Sequence, residues 1–233
     1  MKKIAILQSN YIPWKGVFDM ISMVDEFVFG DDVQYTKQDW RNRNQIKTPQ
    51  GLTWLTIPVV KTEVSQKIKD TRVADKSWSR KHWNTLRCNY SNAPHFKDFK
   101  DEFEDLYLNM NEEFLCEINY KFIRTINNIL RITTPIRFSS EFDLVDGQTE
   151  RILSICRGCN AQEYVSGPAA KNYFDEDLAK KENINITWMN YDGYREYSQL
   201  YPPFEHGVSI LDLLFNCGDT STQYMKHGEN NHE

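Results

Sequence analysis

The chain has 233 residues, 40% of them hydrophobic and 26% charged, with a formal net charge of −5. Length and composition fit one large globular domain or two small ones and argue against disorder, while the acidic balance supplies no global basic field for nucleic acid. No apolar run approaches the roughly 20 residues of a membrane span, and the basic-then-apolar start over residues 1–7 stops too early for a signal peptide; the expectation is a cytoplasmic protein whose five cysteines are reduced thiols.

Residues 3–8 form a short apolar run, read as a first buried strand. Tyr11-Ile12-Pro13-Trp14-Lys15-Gly16 is a turn punctuated by Pro and Gly, after which Val17, Met20, Ile21 and Val24 recur at helical spacing. Phe27-Val28-Phe29 is a second strand, so the first thirty residues predict a βαβ unit with parallel strands. Asp31 and Asp32 leave that strand, and residues 39–48 are polar and basic. Residues 53–60 read as a strand interrupted by Pro58, residues 68–73 as a short strand, and residues 78–87 as a helix. Two helices are expected across residues 99–130, on the phase of Phe103, Leu106, Tyr107, Met110, Phe114, Ile118 and Phe122. Strands at 135–138, 163–167 and 184–188 alternate with helices at 150–156 and 174–181, and a last helix covers 209–215. The fold class is therefore α/β: a Rossmann-like, mostly parallel sheet flanked by helices, as one domain over residues 1–225 with a helical insertion at about 78–132 and a flexible tail at 226–233.

Four segments can carry chemistry. In open α/β sheets ligands bind beyond the carboxyl ends of the strands, which draws attention to Gln8, Asn10, Tyr11, Trp14, Lys15 and Gly16 after the first strand. A helix opening near Gly16 offers amide groups and a positive dipole end to an anion; a tight strand-to-helix turn needs the same Pro and Gly for geometry alone. Asp31 and Asp32, with Gln34, stand at the mouth of the second strand, where carboxylates act as general base, hold sugar hydroxyls or bind a cation, or simply cap and face solvent. Lys37, Trp40, Asn42, Arg43 and Asn44 combine stacking with charge suited to phosphate, or form a solvated loop. Ser166 and Gly167 end a late strand, and Gln199 follows among tyrosines. Ser209 and Asp212 serve equally as a helix cap. The lone Cys156-Arg157-Gly158-Cys159 has no second pair to complete a metal site and ends a helix rather than starting one, so no metal ligand set is read and the cofactor is unknown. His82 and His206 fit acid/base work or packing.

Ala5-Ile6-Leu7-Gln8, Tyr11-Ile12-Pro13-Trp14-Lys15-Gly16, Asp31-Asp32-Val33-Gln34 and Asn42-Arg43-Asn44-Gln45-Ile46-Lys47 resemble the WbqC-like protein family. The resemblance continues through Trp54-Leu55-Thr56-Ile57-Pro58-Val59, Tyr164-Val165-Ser166-Gly167, Tyr197-Ser198-Gln199 and residues 209–215, nearly the whole chain. Ser9 stands where the family usually has Pro, and Glu205-His206-Gly207 where a Pro-Gly-like turn is expected. The resemblance implies a bacterial protein associated with O-antigen or other surface-polysaccharide gene clusters; it implies no reaction. More loosely, the turn after the first strand resembles in placement the HxGH turn of nucleotidylyltransferase-like α/β proteins, with Trp14 and Val17 in place of the histidines.

The expected function is a transferase acting on a nucleotide-linked amino sugar, moving an acyl or aminoacyl group in surface-glycan synthesis. Asp31, Asp32 and Lys15 are the expected catalytic groups, the other singled-out residues holding substrate. The alternatives are a metal-dependent nucleotidyl- or phospho-transferase, and a non-catalytic partner of a glycan-assembly enzyme. A homodimer or such an enzyme are the partners considered beside the small-molecule substrate.

Overall fold

The computed structural model of the chain describes residues 1–226, so the expected tail lies, Lys226 apart, outside the described residues. β1 (Lys3–Leu7), α1 (Lys15–Ser22) and β2 (Glu26–Phe29) form the βαβ unit expected from the first thirty residues; the strands pair in parallel, Ile4 beside Glu26 and Leu7 beside Phe29. The chain then leaves the sheet through a hairpin of β3 (Arg43–Thr48) and β4 (Gly51–Thr56) and a short pair, β5 (Val59–Val60) and β6 (Arg72–Val73). Three helices follow: α2 (Trp78–Tyr90), α3 (Phe96–Leu108) and α4 (Leu115–Ile129). It returns at β7 (Ile136–Phe138), passes through α5 (Gln148–Gly158) to β8 (Glu163–Ser166), and continues with α6 (Glu176–Lys181), β9 (Asn185–Trp188) and α7 (Ile210–Cys217).

The main sheet has five parallel strands in the order β7-β2-β1-β8-β9. Renumbered along the chain, that is 3-2-1-4-5, the Rossmann-like order, which reverses direction between β1 and β8. Successive strand side chains point to opposite faces. Ala5, Phe27, Phe29 and Val165 therefore join one core with Phe18, Trp83, Phe122 and Phe215, while Ile4, Val28 and Tyr164 join another with Leu153, Ile155, Phe174 and Ala179. Helices cover both faces, which is why Ile4-Ala5-Ile6-Leu7 of β1 and Phe27-Val28-Phe29 of β2 are continuous apolar runs rather than alternating ones.

The excursion differs from the expectation in three respects, the first being that residues 68–73, expected as a short strand, form a 3-10 turn at Ile68–Asp70 before the two-residue β6. Residues 43–48, part of the segment read as polar and basic with no strand assigned, are strand β3, whose buried Asn44 and Lys47 donate their side-chain N–H groups to backbone carbonyls of other segments. The strand expected at 53–60 breaks at Pro58, which has no N–H for the ladder, and restarts as β5. The helices at 78–132 are thus the second part of a longer excursion whose first part is two small antiparallel pairs. Among the described residues no helix is long and apolar enough to cross a membrane.

Candidate functional site

The strand reversal places a crevice beyond the carboxyl ends of β1 and β8. It has a volume of about 610 Å³ and is lined by Gln8 from the end of β1, Ser166 and Gly167 from the end of β8, and Asp32 from the turn after β2. The Gly30 N–H donates to the Leu7 carbonyl at 3.0 Å, which carries that turn against the end of β1. Arg41, Ser139 and Tyr173 supply further polar wall, and the start of α5 contributes Gly147, Gln148 and Arg151. Gly147 has φ 99°, a left-handed conformation that glycine adopts without a Cβ penalty, and no side chain caps the first turn of α5. The loops leaving the first two strands therefore meet in one crevice, with the end of β8 opposite.

The two adjacent acids have different environments. Asp32 reaches the crevice, but its carboxylate is paired with Lys69, lies 3.8 Å from Lys67 and accepts from the Ser139 hydroxyl at 2.9 Å. Burial pushes its pKa up, and these partners outweigh burial and hold it below the usual carboxylate value. Asp31 is 2% exposed. One of its oxygens accepts from the Ser9 N–H at 2.8 Å; the other is buried without a hydrogen-bond partner among the described residues. Burial raises the Asp31 pKa to about 6, against the opposing pull of the Ser9 bonds and the Arg41 charge. Asp32 is therefore a fixed anion and Asp31 a group that titrates near neutrality.

Asn119 of α4 fastens this assembly from behind, donating to the Ser9 hydroxyl at 3.0 Å and to the Arg41 carbonyl at 2.9 Å. The Arg41 guanidinium in turn donates to Asn10 Oδ1 and lies 3.6 Å from Asp39. The Ser9 N–H that anchors Asp31, which itself does not line the crevice, is a backbone donor that a proline at this position would lack.

A second cavity, of about 300 Å³, is lined by Asn10, Pro13, Trp14, Val17, Trp40, Asn44, His206 and Gly207. It lies beside the turn opening α1, where a side chain on Gly16 would collide with the Trp14 indole. Gly16 is thus required for the packing of Trp14 rather than for the approach of a phosphate. Lys15 lines neither cavity. It is 3% exposed, donates to the Arg195 carbonyl at 3.2 Å and sits over the rings of Tyr194 and Tyr197. Burial lowers its pKa to about 8, with Asp19 and Cys217 opposing.

Several other residues singled out from the sequence hold the chain together. Tyr11 is fully buried, its hydroxyl 2.9 Å from His82 Nδ1 and 2.7 Å from the Tyr107 hydroxyl. Burial holds His82 near pKa 4, so this imidazole is neutral. Asn44 donates to the carbonyls of Tyr11 and Ile12, pinning the turn at Ile12, whose φ of 37° is unusual for a β-branched residue. Asn42 donates to the Ile57 carbonyl at 2.8 Å. Both ends of the Gln199 amide bond the backbone of Glu205. The Arg43 guanidinium lies 4.1 Å over the Trp54 ring, which also meets Trp40. Gln34 and Lys37 are exposed.

Gln148, Arg151, Ser139 and Tyr173 line the crevice without having been marked in the sequence. Arg41 lay inside a segment that was marked, but Arg43 beside it drew the assignment. Among the described residues no three His, Cys, Asp or Glu side chains converge as a cation site requires. Cys156 and Cys159 are buried, and burial raises both thiols to about 12, away from thiolate chemistry.

The model of the WbqC-like protein family matches residues 8–224. An uncharacterized protein of Mycobacterium tuberculosis is 48% identical over 228 residues, which are 97% of this chain and 99% of that protein. No solved structure matches.

Proposed function

The chain belongs to the WbqC-like protein family, and from that premise we propose that it is a cytoplasmic transferase which binds a nucleotide-linked amino sugar in the crevice between β1 and β8 and moves an acyl or aminoacyl group in O-antigen or other surface-polysaccharide synthesis. The observation carrying this reading is the crevice itself: about 610 Å³ at the strand reversal, with Arg151 and the uncapped first turn of α5 on one wall and Gln8, Asp32 and Ser166 on the others.

Each wall suits a part of such a substrate. Arg151 and the α5 amide groups meet the diphosphate, because a guanidinium fork and a helix start both favour an anion. Tyr173, 52% exposed at the rim, offers a ring for the base to stack on. Gln8 and the Ser166 hydroxyl bond sugar oxygens. Asp32 is the single carboxylate on the crevice wall among the described residues; a carboxylate held below its ordinary pKa accepts protons poorly, so its part is to orient the sugar amine. In the transfer the sugar nitrogen attacks the acyl carbon, the bond to the donor's leaving group breaks, and the nitrogen's proton leaves with that group.

Calorimetric titration with UDP and with UDP-linked hexosamines tests the reading. Saturable binding is expected, weakened about tenfold (about 1.4 kcal/mol) by Arg151→Ala. Absence of binding by any of these ligands at millimolar concentration, in a folded protein, would reject it.

A further inference from the structure

The second cavity has a different character from the crevice. At about 300 Å³ it stands at the small end of ligand sites, which run from about 300 to 1,000 Å³. It is too small for a nucleotide sugar and sized for one ring or a short chain. Trp14, Trp40, Pro13 and Val17 make its wall apolar, and among the described residues no carboxylate, lysine or arginine lines it. Trp40 is 44% exposed although it sits at the cavity rather than on a scattered surface position.

Its polar atoms are few and mostly committed. The Asn44 amide is taken by Tyr11, Ile12 and Gln45. Arg41 can only donate, so its bond to Asn10 fixes the Asn10 oxygen toward the guanidinium and leaves Nδ2 as the remaining donor. His206 Nδ1 is buried and has no hydrogen-bond partner among the described residues. Burial, with the nearby Lys15 charge, lowers the His206 pKa, so the imidazole is neutral at physiological pH. Unpaired buried polar atoms cost free energy and are rare unless something bonds them.

We propose that this cavity seats an uncharged acyl or aryl chain between Trp14 and Trp40, with its carbonyl group bonded by Asn10 and His206. The inference rests on the transferase reading, in which this chain is the group to be moved. The two cavities adjoin through neighbouring residues: Trp40 lines one, Arg41 the other, and Arg41 bonds Asn10. An acyl group and a nucleotide sugar held in these sites lie on the two sides of the Asn10–Arg41 contact.

The test titrates the full chain calorimetrically with butyramide, hexanamide and benzamide, with hexanoate as the charged counterpart, and separately with UDP. Saturable binding of the neutral amides is expected, with hexanoate at least tenfold weaker. Trp40→Ala and His206→Ala, both at partly exposed positions, weaken the amides at least fivefold and leave UDP within twofold; Arg151→Ala does the reverse. Circular dichroism checks that each variant is folded. Absence of saturable amide binding, or amide binding unchanged in both Trp40→Ala and His206→Ala, overturns the inference. Amide binding with these effects but no UDP binding supports it while rejecting the crevice assignment, so the two failures are distinguishable.

Discussion

Two buried carboxylates stand in contrasting regions of this molecule. Asp212, on α7, is fully buried and accepts from the hydroxyls of Tyr90 at 2.7 Å and Tyr197 at 2.8 Å, with Asn216 at 3.4 Å. Asp31, beside the crevice, accepts one backbone N–H and keeps a bare oxygen. Burial raises the pKa of both, but around Asp212 donors from α2, α7 and the segment before it close the shell, whereas among the described residues the shell of Asp31 stays open. A fully bonded buried acid organises packing. An incompletely bonded one costs free energy, and such atoms are uncommon in folded proteins. The C-terminal tyrosine cluster and the surroundings of the crevice are both rich in polar side chains, and the completeness of their bonding sets them apart.

The largest effect that would break this contrast concerns Asp212. Asp212→Ala removes the oxygens to which two buried tyrosine hydroxyls donate and is expected to cost about 4 kcal/mol, read from urea unfolding, since each buried donor left without an acceptor costs about 1–3 kcal/mol. A loss below about 1 kcal/mol would mean that this cluster is not structural.

Asp31 comes next. Its folded pKa of about 6 lies above the ordinary 3.8, so the folded state binds more protons than the unfolded one between those values. The group's contribution to stability is therefore greatest at low pH and is lost as pH rises toward and through about 6. The swing is about 3 kcal/mol from the linkage relation. Asp31→Asn should remove this swing, so that the difference in stability between variant and parent changes by most of that amount between pH 4 and pH 7.5. A constant difference across the range would show that Asp31 is ionised like an exposed acid.

Asp32 has the opposite sign. Its pKa is depressed, so its pairing with Lys69 stabilises above the ordinary carboxylate pKa and is lost as pH falls through the lower folded value. Because Lys69 is 36% exposed, Asp32→Asn should cost at most about 1 kcal/mol at pH 7. A cost of several kcal/mol would move Asp32 into the same structural class as Asp212. The smallest effect is chemical: a thiol reagent should modify Cys88 in the folded chain and leave Cys116, Cys156, Cys159 and Cys217 unmodified until unfolding. Rapid modification of Cys217, near Lys15, would show that the C-terminal region opens.

The βαβ start was legible because residues 3–8 and 27–29 are apolar runs of strand length and Val17, Met20 and Ile21 fall on one helical face. Gln8 and Asp32 were legible as crevice residues because the rule of strand ends needs only the strand boundaries. Tyr11, Asn42, Asn44 and Gln199 belong to the same polar and aromatic types, yet each spends its hydrogen bonds inside the protein. No local pattern distinguishes an amide that pins a turn from one that awaits a ligand. Gln148 and Arg151 carried no mark because they reach the crevice from α5, more than a hundred residues beyond β1. The strand β3 was obscured because its buried Asn44 and Lys47 look like surface residues until their backbone partners are known.

Hydrophobic periodicity by itself determined the α/β class and the parallel strands, since burial on both faces of a sheet favours continuous apolar runs such as those of β1 and β2. It also located the turns from which the crevice would be built. Which strand lies beside which, and hence that β1 and β8 flank the reversal, depends on contacts between distant segments. The same contacts decided that Asp31 keeps a bare oxygen while Asp32 is paired with Lys69. An acid's chemistry is set by which groups surround it in space, and neighbours in sequence do not specify that.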